Sequence, residues 1–228
     1  FTTGLMKKED WGKSRWIALE KDGKLIVPAI HSPWVKRELR DEKTGMYQLP
    51  QFRKVFSVSG EIEQALVYIT GLGHFDFFLN GKKVGDHFLD PGWTKYDKEA
   101  LYVTFDITDE LKGGTNVLGV MLGNGFYNIP RERYFKLLGS FGAPKMRLNL
   151  CIRYANGKTE HIVSDRSWRA TASPVTYSSI YGGEDYDATL EQKGWMKDAS
   201  FDDSHWQKAV EVEQNIKLKA QTGTHLTV

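Results

Sequence analysis

The stretch that decides the fold is Ala65–Asp86, ALVYITGLGHFDFFLNGKKVGD. Two strand-like runs, ALVYITGL and HFDFFLN, flank Gly71-Leu72-Gly73. The second run ends in Asn80-Gly81, the dipeptide that most strongly favours a two-residue hairpin turn. A dinucleotide-binding loop would also place glycines after a strand. It would need a helix and a third glycine next, and here the following residues alternate as a strand. Glycine in this context supplies the positive φ of a tight β turn.

The same grammar runs outward from that stretch. In MRLNLCIRY, Met146, Leu148, Leu150, Ile152 and Tyr154 fall on one face, and Arg147, Asn149, Cys151 and Arg153 on the other. Ala155-Asn156-Gly157 makes a second hairpin turn, and KTEHIVS returns from it. LYVTFDIT turns Leu101, Val103, Phe105 and Ile107 inward. NVLGVMLGN is almost continuously apolar, as in a central strand covered on both faces. TDELKGG reads as one turn with Thr108 as its N-cap and Gly113 as its stop, and RERYFKLLG as a further short helix. About eight or nine strands, spaced by roughly ten to twenty residues, predict an antiparallel β-sandwich or jelly roll. Residues 1–15 read as a lead-in and 16–220 as a single domain. Residues 20–50 form a long polar excursion within it, and 221–228 a linker.

Composition narrows the function. A net charge of +2 is not the basic footprint of a nucleic-acid binder. No apolar run is long enough for a membrane helix. The single cysteine, Cys151, excludes an internal disulfide, and the six histidines lack metal-ligand spacing. No GxSxG nucleophile elbow occurs. The chain begins at Phe1 rather than Met, and reads as part of a longer protein.

Three stretches could carry chemistry. LGNGFYNIP ends a buried strand in Gly-Asn-Gly and at once offers Phe126, Tyr127 and the amides of Asn124 and Asn128. Amides suit sugar hydroxyls and rings suit the apolar side of a sugar; the alternative is a folded corner satisfying its own backbone. YGGEDYDAT sets Glu184, Asp185 and Asp187 beside Tyr181 and Tyr186. A glycosidase needs two carboxyl groups flanking one bond. Glu184 and Asp185 on a strand would point to opposite faces; Asp185 and Asp187 could converge, or bond to loop backbone and an arginine. SFDDSHWQKA reads as a turn anchored by Trp206.

Taken together, Ala65–Thr108, NVLGVMLGNGFYN, YGGEDYDA and FDDSHW resemble the N-terminal β-sandwich domain of bacterial α-L-rhamnosidases, glycoside hydrolase family 78. FTTGLMKKEDWGKSRWIA resembles that family's lead-in. The resemblance implies a galactose-binding-like sandwich. It implies a parent enzyme that hydrolyses terminal α-L-rhamnosides with inversion. It also implies catalytic acids on a downstream (α/α)6 domain, so no catalytic residue is assigned here. Partners would be that domain and a rhamnose-containing glycan, in a periplasmic or extracellular setting. The carbohydrate-binding candidates are Trp93, Asn124, Phe126, Tyr127, Asn128, Glu184 and Asp185. Some members bind L-rhamnose through calcium, for which Asn80 and Asn128, with Asn124 and the carbonyls near Pro130, are the candidates. Leu79 stands where an acid would strengthen a calcium site, and Thr189 where the family often has Arg. The alternative role is an autonomous rhamnose-binding module.

Overall fold

A computed structural model describes residues 4–20, 47–130, 133, 139–222 and 226–227. Most of the polar excursion, and RERYFKLLG apart from Arg133 and Gly139, lie outside the described residues. The chain is almost entirely β. Its main strands are β1 (Trp16–Ala18), β2 (Pro50–Val58), β3 (Ile62–Leu72), β4 (His74–Leu79), β5 (Glu99–Asp106) and β6 (Gly114–Gly123). They continue with β7 (Lys145–Tyr154), β8 (Thr159–Val163), β9 (Arg169–Ala172), β10 (Val175–Ser179), β11 (Gly183–Tyr186), β12 (Val210–Val212) and β13 (Lys217–Ala220).

Two sheets form the sandwich. The first has seven strands in the order β12-β1-β7-β3-β5-β13, with β8 also on β7. The second has six: Gln207–Lys208, β9, β2, β6, β4 and Lys82–Lys83. The expected eight or nine strands undercount this fold because short edge strands carry too few residues to show alternation. Register follows the apolar pattern. Leu148 faces Ile69, Leu150 faces Val67 and Ile152 faces Ala65, all within the core. A slip of one residue would turn these side chains to the other face. Phe52, Phe56, Phe77, Leu118, Val120 and Trp168 fill the core from the second sheet. Each such side chain contributes about 1.5–3 kcal/mol on burial.

The sheets are joined at Gly73, where β3 of the first sheet passes into β4 of the second. Its φ is 108°, and a Cβ there would stand 2.2 Å from the Gly123 carbonyl oxygen. Only glycine meets both conditions. At the far end of β4, Asn80 (φ 51°) and Gly81 (φ 83°) form the expected tight hairpin turn.

Both outer faces are covered. On the first sheet Trp11 packs edge-on to Tyr102 at 5.5 Å, with Leu66 and Tyr68 beside them. The lead-in is therefore part of the sandwich. The Arg147 guanidinium lies 5.0 Å from the Trp11 ring centre, and its Nε donates to Ser14 Oγ (2.9 Å). Burial, with Arg15 nearby, pulls Arg147 down to about 10. Half-buried Cys151 packs against the same cluster.

On the second sheet the segment Asp187–Trp206 covers β2 and β6. A Cβ on Gly119 would meet the Trp195 ring at 3.0 Å, so β6 is enclosed on both faces, as its apolar run predicts. Buried Arg53 pairs with Asp203 and donates to the carbonyls of Asp198 (2.8 Å) and Phe201 (3.2 Å). That network accounts for FDDSHW: Asp203 is the counter-ion, and Trp206 is the buried anchor whose Nε1 donates to Gln192 Oε1 (2.8 Å).

Two local readings are corrected. Thr108 caps no helix. Its Oγ1 accepts from Ala65 N (3.0 Å), and a single turn closes on the Ile107 carbonyl. Of the tail read as a linker from residue 221, Gln221 N donates to the Tyr102 carbonyl (2.8 Å), just past β13 where it lies parallel on β5, and Leu226–Thr227 pairs with His87–Phe88. Among the described residues, no helix is long and apolar enough to cross a membrane.

Candidate functional site

Three loops meet at the end of the sandwich where β3 turns into β4. Residues 86–97 form the first. Their shape is set by Asp90, whose side chain is buried. Asp90 Oδ2 lies 2.7 Å from His87 Nδ1, Oδ1 accepts from Gln221 Nε2 (2.9 Å), and its carbonyl accepts from Phe75 N (2.8 Å). The Asp90–Pro91 peptide is cis, and Leu89 has a φ of 57°. Gly92 N then donates to Gln221 Oε1 (2.8 Å). The chain so held projects Trp93 outward, 54% exposed.

The second loop, residues 124–130, is built by its amides. Asn124 Nδ2 donates to the Ser178 carbonyl (2.7 Å), and Asn128 Nδ2 donates to Asn124 Oδ1 (2.6 Å). Both residues are buried. Gly125 has a φ of 52°, and a Cβ there would meet the His74 ring at 3.1 Å. Tyr127 turns inward, its hydroxyl donating to the Phe141 carbonyl (2.8 Å) and its ring meeting buried Tyr96 edge-on. Phe126 turns the other way. The third loop, residues 179–183, brings Tyr181, which is 51% exposed.

These loops assemble one aromatic platform. Trp93 stacks on Phe126 with centroids 4.4 Å apart and planes 12° apart, and Tyr181 meets Phe126 edge-on at 6.0 Å. Such pairs contribute about 0.5–1.5 kcal/mol beyond burial. Trp93 and Tyr181 are about half exposed while Phe126 is partly buried, so the open ring surface belongs to Trp93 and Tyr181. The site thus differs from the sequence reading. Trp93 and Phe126 come together, whereas Asn124, Tyr127 and Asn128 are turned inward, where they donate to Ser178, Phe141 and Asn124. Tyr181 was missed as a site residue; its signal was the Gly182-Gly183 pair that tightens its turn.

The acids follow Tyr181 along the chain, each in its own setting. Asp185 meets the Arg133 guanidinium as a two-pronged pair, with Nη1 to Oδ1 at 2.9 Å. That hydrogen bond holds its carboxyl below the usual range. Arg133 also lies 4.5 Å from the Tyr177 ring centre. Asp187 caps a short 3-10 turn by accepting from Thr189 N (2.9 Å) and Thr189 Oγ1 (2.6 Å). Asp185 and Asp187 are therefore not a converging carboxyl pair. Glu184 behaves differently. Burial first, and then the charge of Asp76, hold its carboxyl above the ordinary value. Burial also lowers His74, against the opposing pull of Asp90 and Asp76.

The calcium candidates do not fit an ion. Asn80 Oδ1 accepts from Val117 N (2.9 Å) and its Nδ2 donates to Asn116 Oδ1 (2.9 Å). It lies at the other end of β4 from Asn124 and Asn128, about 20 Å away by strand rise. Hard-cation sites need converging oxygens at one centre. Among the described residues there is also no cluster of three His, Cys, Asp or Glu able to hold a metal.

The sequence profile of the α-L-rhamnosidase N-terminal domain matches residues 60–227. The chain belongs to that family. An α-L-rhamnosidase of Formosa agariphila is 37% identical over 233 residues, covering 95% of this chain and 23% of that protein. The structure of the α-L-rhamnosidase from Dictyoglumus thermophilum superposes with a TM-score of 0.79 at 37% identity, over 97% of this chain and 23% of the other. The Streptomyces avermitilis α-L-rhamnosidase, solved in complex with L-rhamnose, gives a TM-score of 0.66 at 31% identity, over 75% and 16%. This rhamnosidase N-terminal domain thus spans 23% of the length of its first curated relative. Those relatives carry additional domains in the same polypeptide, while the residues described here form only the sandwich.

Proposed function

We propose that the chain serves an α-L-rhamnosidase as a non-catalytic accessory sandwich. In this reading it presents the Trp93–Phe126–Tyr181 platform to a rhamnose-containing glycan beside a downstream (α/α)6 catalytic domain. The observation that carries it is the exposed Trp93 ring stacked on Phe126, held by a loop whose amides donate to Ser178 and to Asn124. Such a platform binds through the apolar face of a sugar ring, with Glu184 as the neighbouring group able to meet a hydroxyl. Hydrolysis is assigned to the parent enzyme, in a periplasmic or extracellular setting, because Asp185 and Asp187 are committed to Arg133 and to a cap.

A second reading has the platform packing on the catalytic domain instead. Exposed Phe88 and Leu89 near Trp93 favour it, since apolar surface on one side of a domain marks a contact. A titration of the purified chain with methyl α-L-rhamnoside, followed by NMR of the Trp93 indole, separates the two. Saturable movement of that signal supports glycan binding, and its stillness at tens of millimolar, on the order of the weakest useful affinities, supports packing. Calcium and then EDTA are expected to leave the titration unchanged. Turnover of p-nitrophenyl α-L-rhamnoside by this chain would overturn the non-catalytic assignment.

A further inference from the structure

Gln221 lies 129 residues along the chain from Gly92 yet holds it. Its Oε1 accepts from Gly92 N (2.8 Å), and its Nε2 donates to Asp90 Oδ1 (2.9 Å). One amide therefore fixes both the backbone before Trp93 and the carboxylate that shapes the loop. The geometry is that of an amide reading a donor and an acceptor at once, which a methyl or an acid cannot reproduce. Gln221 is itself anchored independently of its side chain. Its N–H donates to the Tyr102 carbonyl (2.8 Å), continuing the parallel pairing of β13 with β5. Further along, Leu226–Thr227 pairs with His87–Phe88, so the tail grips the same loop at a second point.

We propose that Gln221 is the positioning residue of the aromatic platform. Through its amide, the end of β13 sets where Trp93 stands relative to Phe126. The role rests on and deepens the carbohydrate reading, since a sugar face packs on the Trp93 ring only when that ring is held in one orientation by its stack on Phe126. It also gives the tail a consequence: a displacement of β13 moves the Asp90–Gly92 backbone and unstacks Trp93. The backbone pairing of β13 survives truncation of the side chain, so the domain stays folded when the latch is removed.

The test uses the purified chain with Gln221→Ala and Gln221→Glu. Gln221→Glu keeps an acceptor for Gly92 N but sets a second carboxylate against Asp90, so it fails to rescue. Trp93 indole chemical shift and the nuclear Overhauser contacts between Trp93 and Phe126 are read directly, with Trp11 and Trp168 as internal references. In both variants the Trp93 signal is expected to shift and its contacts to Phe126 to weaken, while the reference indoles stay in place. The apparent Kd for methyl α-L-rhamnoside is expected to rise about fivefold or more, about 1 kcal/mol. Unchanged Trp93–Phe126 contacts in both variants would overturn the proposal. Should the unaltered chain not respond to the rhamnoside, the glycan reading falls, and the indole signal still decides the role of Gln221.

Discussion

At one end of the β4–β6 pair, Asn80 and Asn116 exchange an amide hydrogen bond of 2.9 Å; at the other, Asn124 and Asn128 exchange one of 2.6 Å. Both corners follow the same physics. A strand stops, its backbone groups lose their ladder partners, and short amides replace them. The Asn116 corner also takes in Lys112 N at 3.1 Å and the carbonyls of Lys112 (2.7 Å) and Gly114 (3.0 Å). The outcomes differ in what lies on top. The Asn80 corner carries a lysine-bearing hairpin, whose Lys83 pairs with Asp76 (2.7 Å). The Asn124 corner carries Phe126, and over it Trp93 and Tyr181. Amides build both corners, and rings distinguish the one that can recognise something.

The sharpest way to break this comparison is to remove one amide from each corner. Asn116→Ala is expected to cost about 2–4 kcal/mol, because a buried side chain is lost and backbone groups are left unpaired. Urea unfolding measures it, and the folded protein should keep its rhamnoside affinity. Asn124→Ala is expected to cost less, about 1–3 kcal/mol, and to weaken rhamnoside affinity as well. If the two variants affect affinity equally, the corners are not functionally distinct.

Trp93→Ala addresses the rings themselves. Over half exposed, Trp93 contributes little to the core. Stability should fall by about 0.5–1.5 kcal/mol, the contribution of its stacking on Phe126. Affinity for methyl α-L-rhamnoside, measured by calorimetry, should fall about tenfold or more, about 1.4 kcal/mol. A large loss of stability with unchanged affinity would reverse the roles assigned to amides and rings.

How far the sequence alone carries this picture depends on separation along the chain. The Asn80-Gly81 turn and the alternation of Met146–Tyr154 are local, and both appear in the fold as read. The enclosed character of β6 is local too, although what encloses it, Trp195, is not. Asn124 and Asn128 read from the sequence as ligand groups, whereas in the fold their amides donate to Ser178 and to Asn124. Nothing in LGNGFYN reveals that Ser178 would take one amide and that the second amide would be used up on the first. The partners of Asp185 and of Arg53 lie 52 and 150 residues away, so the purposes of YGGEDYDA and FDDSHW became visible only with the fold. Thr189 shows the same from the other side: where the resemblance implied an arginine partner for Asp187, Thr189 donates its N–H and hydroxyl to the Asp187 carboxyl that caps the turn.

The smallest effect expected concerns Glu184, beside the rings and unlike its neighbours. Asp185 and Asp187 are held below the ordinary carboxyl range by Arg133 and by Thr189, whereas burial and Asp76 hold Glu184 above 4.5. Between 4.5 and its raised value the folded chain keeps a proton that the unfolded chain has released. Stability therefore declines as pH climbs through that window, and the decline is complete once Glu184 is ionised in both states. Glu184→Gln removes the titration. Its unfolding free energy, followed from pH about 4 to 7, should lose that decline and lie slightly above the unaltered chain at neutral pH. Asp185→Asn should act in the opposite sense, since a depressed carboxyl stabilises the fold above the ordinary value and ceases to do so on acidification. Parallel pH profiles for the two variants would mean that the acids share one environment, and would remove the reason for setting Glu184 apart as the polar neighbour of the platform.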